Sequence, residues 1–393
     1  MYTEDESKKM NVAECTESSE EDETIDDSTT DVSIIDEPFN PALIQVQPKT
    51  TVLDLLMRRI KSDAINLRPD FQRNESVWSK VAKSRLIESL LIRIPIPAFY
   101  FDASDDNCWL VIDGLQRLST IRDFVMDKMP LVGLEFLHNM EGKTYSKLPP
   151  SLQRRIDETE VVCYIILPGT PARVKFDIFR RINTGGEPLS PQEIRHALNI
   201  GICTDLLKYL SESEAFKTAT MNGLQSKRMA DRECIMRYLT FRDLDISAYK
   251  KNDFNSFLND SMRNFNSEHA GQTLDSAEIK SIIADFNDTM WYAHELFGNL
   301  AFRKIDVWRK TRSPVNKSLF EAWSVNIHRL SQDERDWLLS RKDNLLNMFR
   351  ERMANDDEFL QSVTQGTGSV ARVRKRFETV RQIIEEVLHD KQG

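Results

Sequence analysis

The run Ile112-Asp113-Gly114-Leu115-Gln116-Arg117 brings a carboxylate, a glycine, an amide and a guanidinium together where an apolar stretch gives way to a helical pattern. Trp109 to Ile112 is continuously apolar, as in a strand covered on both faces. Leu115, Leu118, Ile121 and Val125 then recur at helical spacing, which leaves Gln116, Arg117 and Thr120 off the buried stripe. The first turn of a helix leaves backbone N–H groups unpaired and is the positive end of the helix dipole, so a glycine turn entering it suits an anion, most often a phosphate. With Asp113 to hold Mg²⁺ or orient a water, the chemistry would be that of phosphoryl groups.

A plainer description fits the same residues. Asp113 followed three positions later by Gln116 is also a capping box, each side chain satisfying a backbone donor of the first turn. Capping does not account for Arg117, because a cation in the first turn opposes the dipole unless something negative sits beside it. Comparable groups recur at two other places. Phe71-Gln72-Arg73 follows Pro69-Asp70 in a segment predicted to be extended or turned, ahead of Trp78. The third runs from Phe179 to Arg195. There Asn183 to Gly186 reads as a helix C-cap and turn, and Ser190-Pro191-Gln192-Glu193 as a capping box with proline at the first helical position. Arg180, Arg181 and Arg195 flank that turn, either as a solvated basic face or as phosphate ligands.

The elements that must position these groups can be read from hydrophobic periodicity. A capped helix is predicted from Thr51 to about Ile60, then a short strand through Ile65 and Leu67. An amphipathic helix follows from Ser79 to Ile92, with Val81, Leu86, Leu90 and Leu91 inward. Ala98 to Phe101 and Trp109 to Ile112 form a hairpin across the polar turn 102–107, and Leu131 to Phe136 and Val161 to Leu167 are further strands. Short helices are expected within 148–156, 171–182 and 191–200. Beyond residue 200 long helical patterns dominate, including Ile279 to Phe297, Ser318 to Arg329, Glu334 to Arg352 and Ser369 to His389. The expected fold class is α+β: a small mixed-sheet domain over 41–200, followed by a mostly helical domain over 201–393.

Taken together, the segment 71–91 with Ser84-Arg85-Leu86-Ile87-Glu88-Ser89-Leu90-Leu91, the run 112–120 and the run Arg181 to Gly186 with Leu189-Ser190 resemble the N-terminal module of GmrSD-type restriction enzymes. That family is similar in fold to the ParB and sulfiredoxin nucleotide-binding domains, and the likeness spans about residues 50 to 200. It implies nucleotide binding and hydrolysis supported by Asp113, Gly114, Gln116 and Arg117. Gln72, Arg73, Thr120 and Asn183 would complete the binding set, and Asp113 would be the Mg²⁺ ligand. Leu115 stands where the family usually has its first glutamine, a departure that bears on turnover more than on binding. No His-Asn-His nuclease is legible: the six histidines are scattered, and His138-Asn139 has no partner histidine or metal cluster.

Composition sets the outer bounds. With 393 residues, 40% hydrophobic and 29% charged, the chain reads as globular with room for two cores. It has no apolar run of the roughly 20 residues needed to span a bilayer, and a cytoplasmic location is the default expectation. The five cysteines are far apart and suggest neither a disulfide framework nor a zinc site. The net charge of −9 is concentrated at the start, since residues 1–40 hold 14 Asp and Glu against 2 Lys and are expected to form a disordered acidic tail. The leading expectation is a nucleoside triphosphate-binding and hydrolysing module of a restriction or phage-defence system. Its partners would be the nucleotide, DNA, and a separate nuclease or defence subunit. The alternative is a non-catalytic, nucleotide-gated regulator that binds DNA or protein, with Arg372, Arg374, Lys375, Arg376 and Arg381 as a phosphate-facing stripe on the last helix.

Overall fold

The computed structural model describes residues 44–67, 78–182, 189–224, 227–305 and 312–389. Gln72, Arg73, Asn183, the turn Asn183 to Gly186 and the acidic stretch 1–40 lie outside the described residues. The chain is α+β. Its first part is β1 (Val46–Val52), α1 (Leu53–Lys61), β2 (Ile65–Asn66), α2 (Lys80–Leu91), β3 (Phe99–Asp102), β4 (Trp109–Asp113), α3 (Leu115–Val125), α4 (Pro150–Asp157), β5 (Glu160–Ile166), α5 (Ala172–Ile182) and α6 (Pro191–Leu198). The strands form one mixed sheet in the order β1-β5-β3-β4-β2. The β3–β4 hairpin is antiparallel, β3 runs parallel to β5, and Tyr100 lies opposite both Asp113 and Tyr164.

Alternation along the central strands gives the sheet two apolar faces. Phe99, Phe101, Val111, Val161 and Cys163 point to one side, where Leu53 and Leu56 of α1, Ile87 and Leu91 of α2, Leu118, Ile121 and Phe124 of α3 and Ile156 of α4 close a core. Ile112 and Ile166 point to the other, against Phe176 and Phe179 of α5, Ile194 and Ala197 of α6, and Met229.

The rest is helical: α7 (Ile202–Ser211), α8 (Glu214–Thr220), α9 (Ala230–Arg242), α10 (Phe254–Glu268), α11 (Ala277–Phe297), α12 (Lys317–His328), α13 (Gln332–Ser340), α14 (Lys342–Asn355), α15 (Asp357–Thr364) and α16 (Val370–His389). Helix α12 runs through the middle, with every residue from Ser318 to Ile327 buried. Its polar positions join an internal ion network. Glu233 on α9 takes Arg237 at 2.7 Å and Lys317 at 3.0 Å, while Glu321 on α12 takes Arg237 at 3.2 Å and also Arg376 of α16. Among the described residues no helix is long and apolar enough to cross a membrane.

Several local expectations are corrected. Residues 131–136 are not a strand, because their amides are already taken by side chains. Ser84 accepts from Val132 N at 2.9 Å, Glu141 from Gly133 and Leu134, and the Glu88 carboxylate from Glu135, Phe136 and Leu137 at 2.7–2.9 Å. The pattern 334–352 is two helices, broken at Arg341, whose φ of −119° and ψ of 21° leave the helical region. Helix α1 starts near its predicted place but without a side-chain cap at Val52, because the preceding residues form the edge strand β1. Val81 faces outward at 38% exposed. Of the five basic residues singled out on α16, four have side-chain partners and Arg374 is exposed. Arg376 is buried on Glu321, Lys375 meets Asp356 at 2.9 Å, Arg381 meets Glu385 and Arg372 donates to Gln361.

Candidate functional site

The site forms where β4 ends and α3 begins. Gly114 is the N-cap of α3 and turns the chain with φ +101° and ψ 9°, a left-handed conformation open to glycine at little cost. A second constraint acts there. A Cβ on residue 114 would lie 2.9 Å from Phe99 Cε1 and closer still to Cδ1, so the neighbouring strand leaves no room for a side chain.

Asp113 and Gln116 do not form the capping box, since the N-cap is Gly114 and Asp113 lies one residue before it. The carboxylate turns instead to Arg117, whose Nη2 donates to Asp113 Oδ2 at 3.0 Å. This resolves the puzzle of a cation in the first turn: Arg117 has a negative partner one turn back, and a carboxylate there also opposes the dipole's positive end favourably. Arg117 is only 8% exposed. Its Nη1 donates to Pro97 O, its Nη2 also to Ala98 O at 3.1 Å, and the guanidinium lies 4.8 Å from the Phe99 ring centroid. The group therefore ties the start of β3 to the start of α3. Burial lowers its pKa from the ordinary arginine value, while Asp113 and then Tyr100 work the other way.

Other motif residues sit as follows. Asp113 keeps its side chain 35% exposed, and Oδ1 has no partner among the described residues. Gln116 is half-buried, and its Oε1 is enclosed without a donor among the described residues. Thr120 is fully buried and donates to Gln116 O at 2.7 Å, so its hydroxyl is engaged within the helix. Leu115 packs into the core at 5% exposed. On the sheet beside Asp113, Tyr100 stacks on Tyr164 with centroids 4.9 Å apart. Burial raises the Tyr100 pKa, with Tyr164 and Asp113 adding to the effect and Arg117 opposing it.

Phe99, the Pro97 and Ala98 carbonyls and the tyrosine stack escaped the sequence reading. A partial signal existed in Ile94-Pro95-Ile96-Pro97, since a proline-interrupted extended segment leaves carbonyls without ladder partners. The capping box at Ser190 is present as expected, with Glu193 N donating to Ser190 Oγ at 3.1 Å and Ser190 N to Glu193 Oε2. Helix α6, which it starts, carries Arg195, fully buried, with Nη2 donating to Asn255 Oδ1 of α10 at 3.1 Å. Burial pulls Arg195 down to about 10, against the field of Glu233.

The site is thus a glycine turn that feeds a helix N-terminus at the end of strand β4 of the mixed sheet, with a partly exposed carboxylate one residue before the turn. Residues 52–200 match the family described as the GmrSD restriction endonuclease, N-terminal domain, which supports a domain of that type over this part of the chain. No curated protein and no solved structure matches the chain.

Proposed function

We propose that the chain is a nucleotide-binding module of a restriction or phage-defence system that hydrolyses a nucleoside triphosphate and acts with DNA and a separate nuclease subunit. The carrying observation is the Asp113–Gly114–Gln116 junction: an exposed carboxylate oxygen, a side-chain-free turn and an enclosed amide oxygen without a donor, all at one helix N-terminus. An enclosed acceptor left unmatched costs about 1–3 kcal/mol, which a ligand hydroxyl or amino group would recover.

In this reading the α3 first-turn amides receive phosphate oxygens. Arg73 and Asn183, of the two other sequence motifs, would add charge and a polar group. Arg117 is a positioning residue, because its terminal nitrogens already hold Pro97, Ala98 and Asp113. Mg²⁺ commonly binds through one or two carboxylates plus substrate phosphates. Asp113 Oδ1 fits that role, and the ion would neutralise phosphate charge. Gln116 would orient the ligand or the attacking water.

A second reading, a nucleotide-gated regulator without turnover, is favoured by Leu115, which lies in the core at the position of the family's first glutamine. Equilibrium binding of Mg-ATP and Mg-GTP to the whole chain, with phosphate release measured in parallel, separates the two. Asp113→Asn should retain the fold and lose phosphate release, and Arg73→Ala should weaken binding at least tenfold. Tight binding without release supports the regulator. Unchanged binding in both variants and in Gln116→Ala would sink the site assignment.

A further inference from the structure

Most exposed aromatic side chains of a globular protein stand singly, but two here share one hollow in the helical part. Tyr209 on α7 is 49% exposed and Trp291 on α11 is 45% exposed. They line a cleft of about 450 Å³ together with Glu212, Glu214 and Asn287. Among the described residues no lysine or arginine lines it. At the rim Lys217 lies 3.6 Å from Glu214, with both side chains open to solvent. On α11, Glu295 is exposed one turn beyond Trp291, and Asp288, one turn before it, lies 3.5 Å from Arg335. The Asn287 Oδ1 atom is enclosed at the cleft wall and receives no hydrogen bond.

These features specify a charge and a shape. The faces of tryptophan and tyrosine attract a cation through the ring quadrupole, most strongly with tryptophan. Two carboxylates at the rim add a longer-ranged attraction of the same sign. An unmatched amide oxygen in the wall calls for an N–H donor. Aromatic pairs also stack nucleobases, but a nucleic acid would bring phosphates against Glu212 and Glu214 with no basic side chain in the lining to offset them. Tryptophan and tyrosine are also the residues that dominate binding energy at protein interfaces.

We infer that this cleft is the docking point for a basic segment of a protein partner, with a lysine or arginine side chain held between Tyr209 and Trp291 and donating to Asn287. The inference does not depend on the nucleotide reading, since the cleft is built from α7, α8 and α11 alone. Its test uses the whole chain and four labelled probes: hexa-arginine, hexa-lysine, hexa-glutamate and a single-stranded deca-thymidine. The acidic stretch 1–40 also attracts cationic peptides, so the deciding quantity is the change between variants, together with the fluorescence difference between wild type and Trp291→Phe.

Hexa-arginine or hexa-lysine should perturb Trp291 emission. Affinity should fall about tenfold in Trp291→Ala, severalfold in the double variant Glu212→Gln/Glu214→Gln, and little in Trp291→Phe. The double variant alters only exposed rim groups and keeps the test valid should Trp291→Ala fail to fold. Equal affinity of the basic peptides for wild type and the double variant would overturn the proposal. So would deca-thymidine perturbing Trp291 emission where the peptides do not.

Discussion

Replacing Gly114 by alanine isolates the geometry on which the candidate site rests. Two effects add. A left-handed backbone costs an L-residue about 1–2 kcal/mol. The new methyl would also overlap the Phe99 ring, at 2.9 Å from Cε1 and nearer to Cδ1, and forced overpacking of this kind costs about 1–3 kcal/mol. Loss of glycine's freedom in the unfolded chain returns about 0.4–1 kcal/mol, so the net cost is about 1–5 kcal/mol, centred near 3. Gly142 is the internal control, with φ +73° and nothing within 4 Å of a built Cβ. Gly142→Ala should therefore carry the backbone strain alone, about 1 kcal/mol. Urea denaturation of both variants, followed by far-ultraviolet circular dichroism, reads the difference. Phe99→Leu placed in the Gly114→Ala background should return part of the loss, a coupling that a double-mutant cycle measures. If Gly114→Ala is no more destabilising than Gly142→Ala, or if Phe99→Leu merely adds to it, the account of the turn is wrong.

Three further predictions follow from buried polar groups. Glu321→Gln leaves Arg237 and Arg376 short of their shared carboxylate inside the helical core and should cost about 3–5 kcal/mol in urea denaturation; a loss below about 1 kcal/mol would mean the network is dispensable. Arg117→Lys keeps the charge but cannot reach Pro97, Ala98 and Asp113 together, and a loss of about 1–3 kcal/mol in the same assay is expected. Burial pushes the Glu88 carboxyl upward, but the amides of Glu135, Leu137 and Phe136 outweigh this and hold it below the ordinary glutamate range. A carboxyl with a lower pKa folded than unfolded contributes fully above the unfolded value, near 4.3, and loses that contribution as pH falls through the folded value. Glu88→Gln should thus cost about 2 kcal/mol at pH 7, and its deficit should shrink below about pH 4.3 in a pH series of thermal melts; a deficit independent of pH would refute the role.

How legible the fold was depended on whether a segment's structure is decided locally. Trp109 to Val125 could be read as strand, turn and helix because apolar run, glycine and 3.6-residue stripe are all local signals. The capping box at Ser190 was legible for the same reason. Strand β1 was not. Its residues are mostly exposed, Pro48 interrupts it, and it exists because its backbone pairs with β5 from Val46↔Ile166 to Val52↔Glu160. The apolar spacing of 131–136 suggested a strand, but its amides were claimed by Glu88, Ser84 and Glu141, and only the last of these is close in sequence.

The same division runs through the site. Residue types and order alone determined that a carboxylate, a glycine and an amide would meet at a helix start, because a helix N-terminus is a local object. They also determined the family likeness over 52–200, since colinear motifs are a property of sequence. Tertiary structure decided what each group is free to do. Arg117 looked like a surface cation, yet the β3 segment folds back to offer it two carbonyls and a ring. A side chain's partners come from wherever the chain returns in space, and one-dimensional order carries no record of that return.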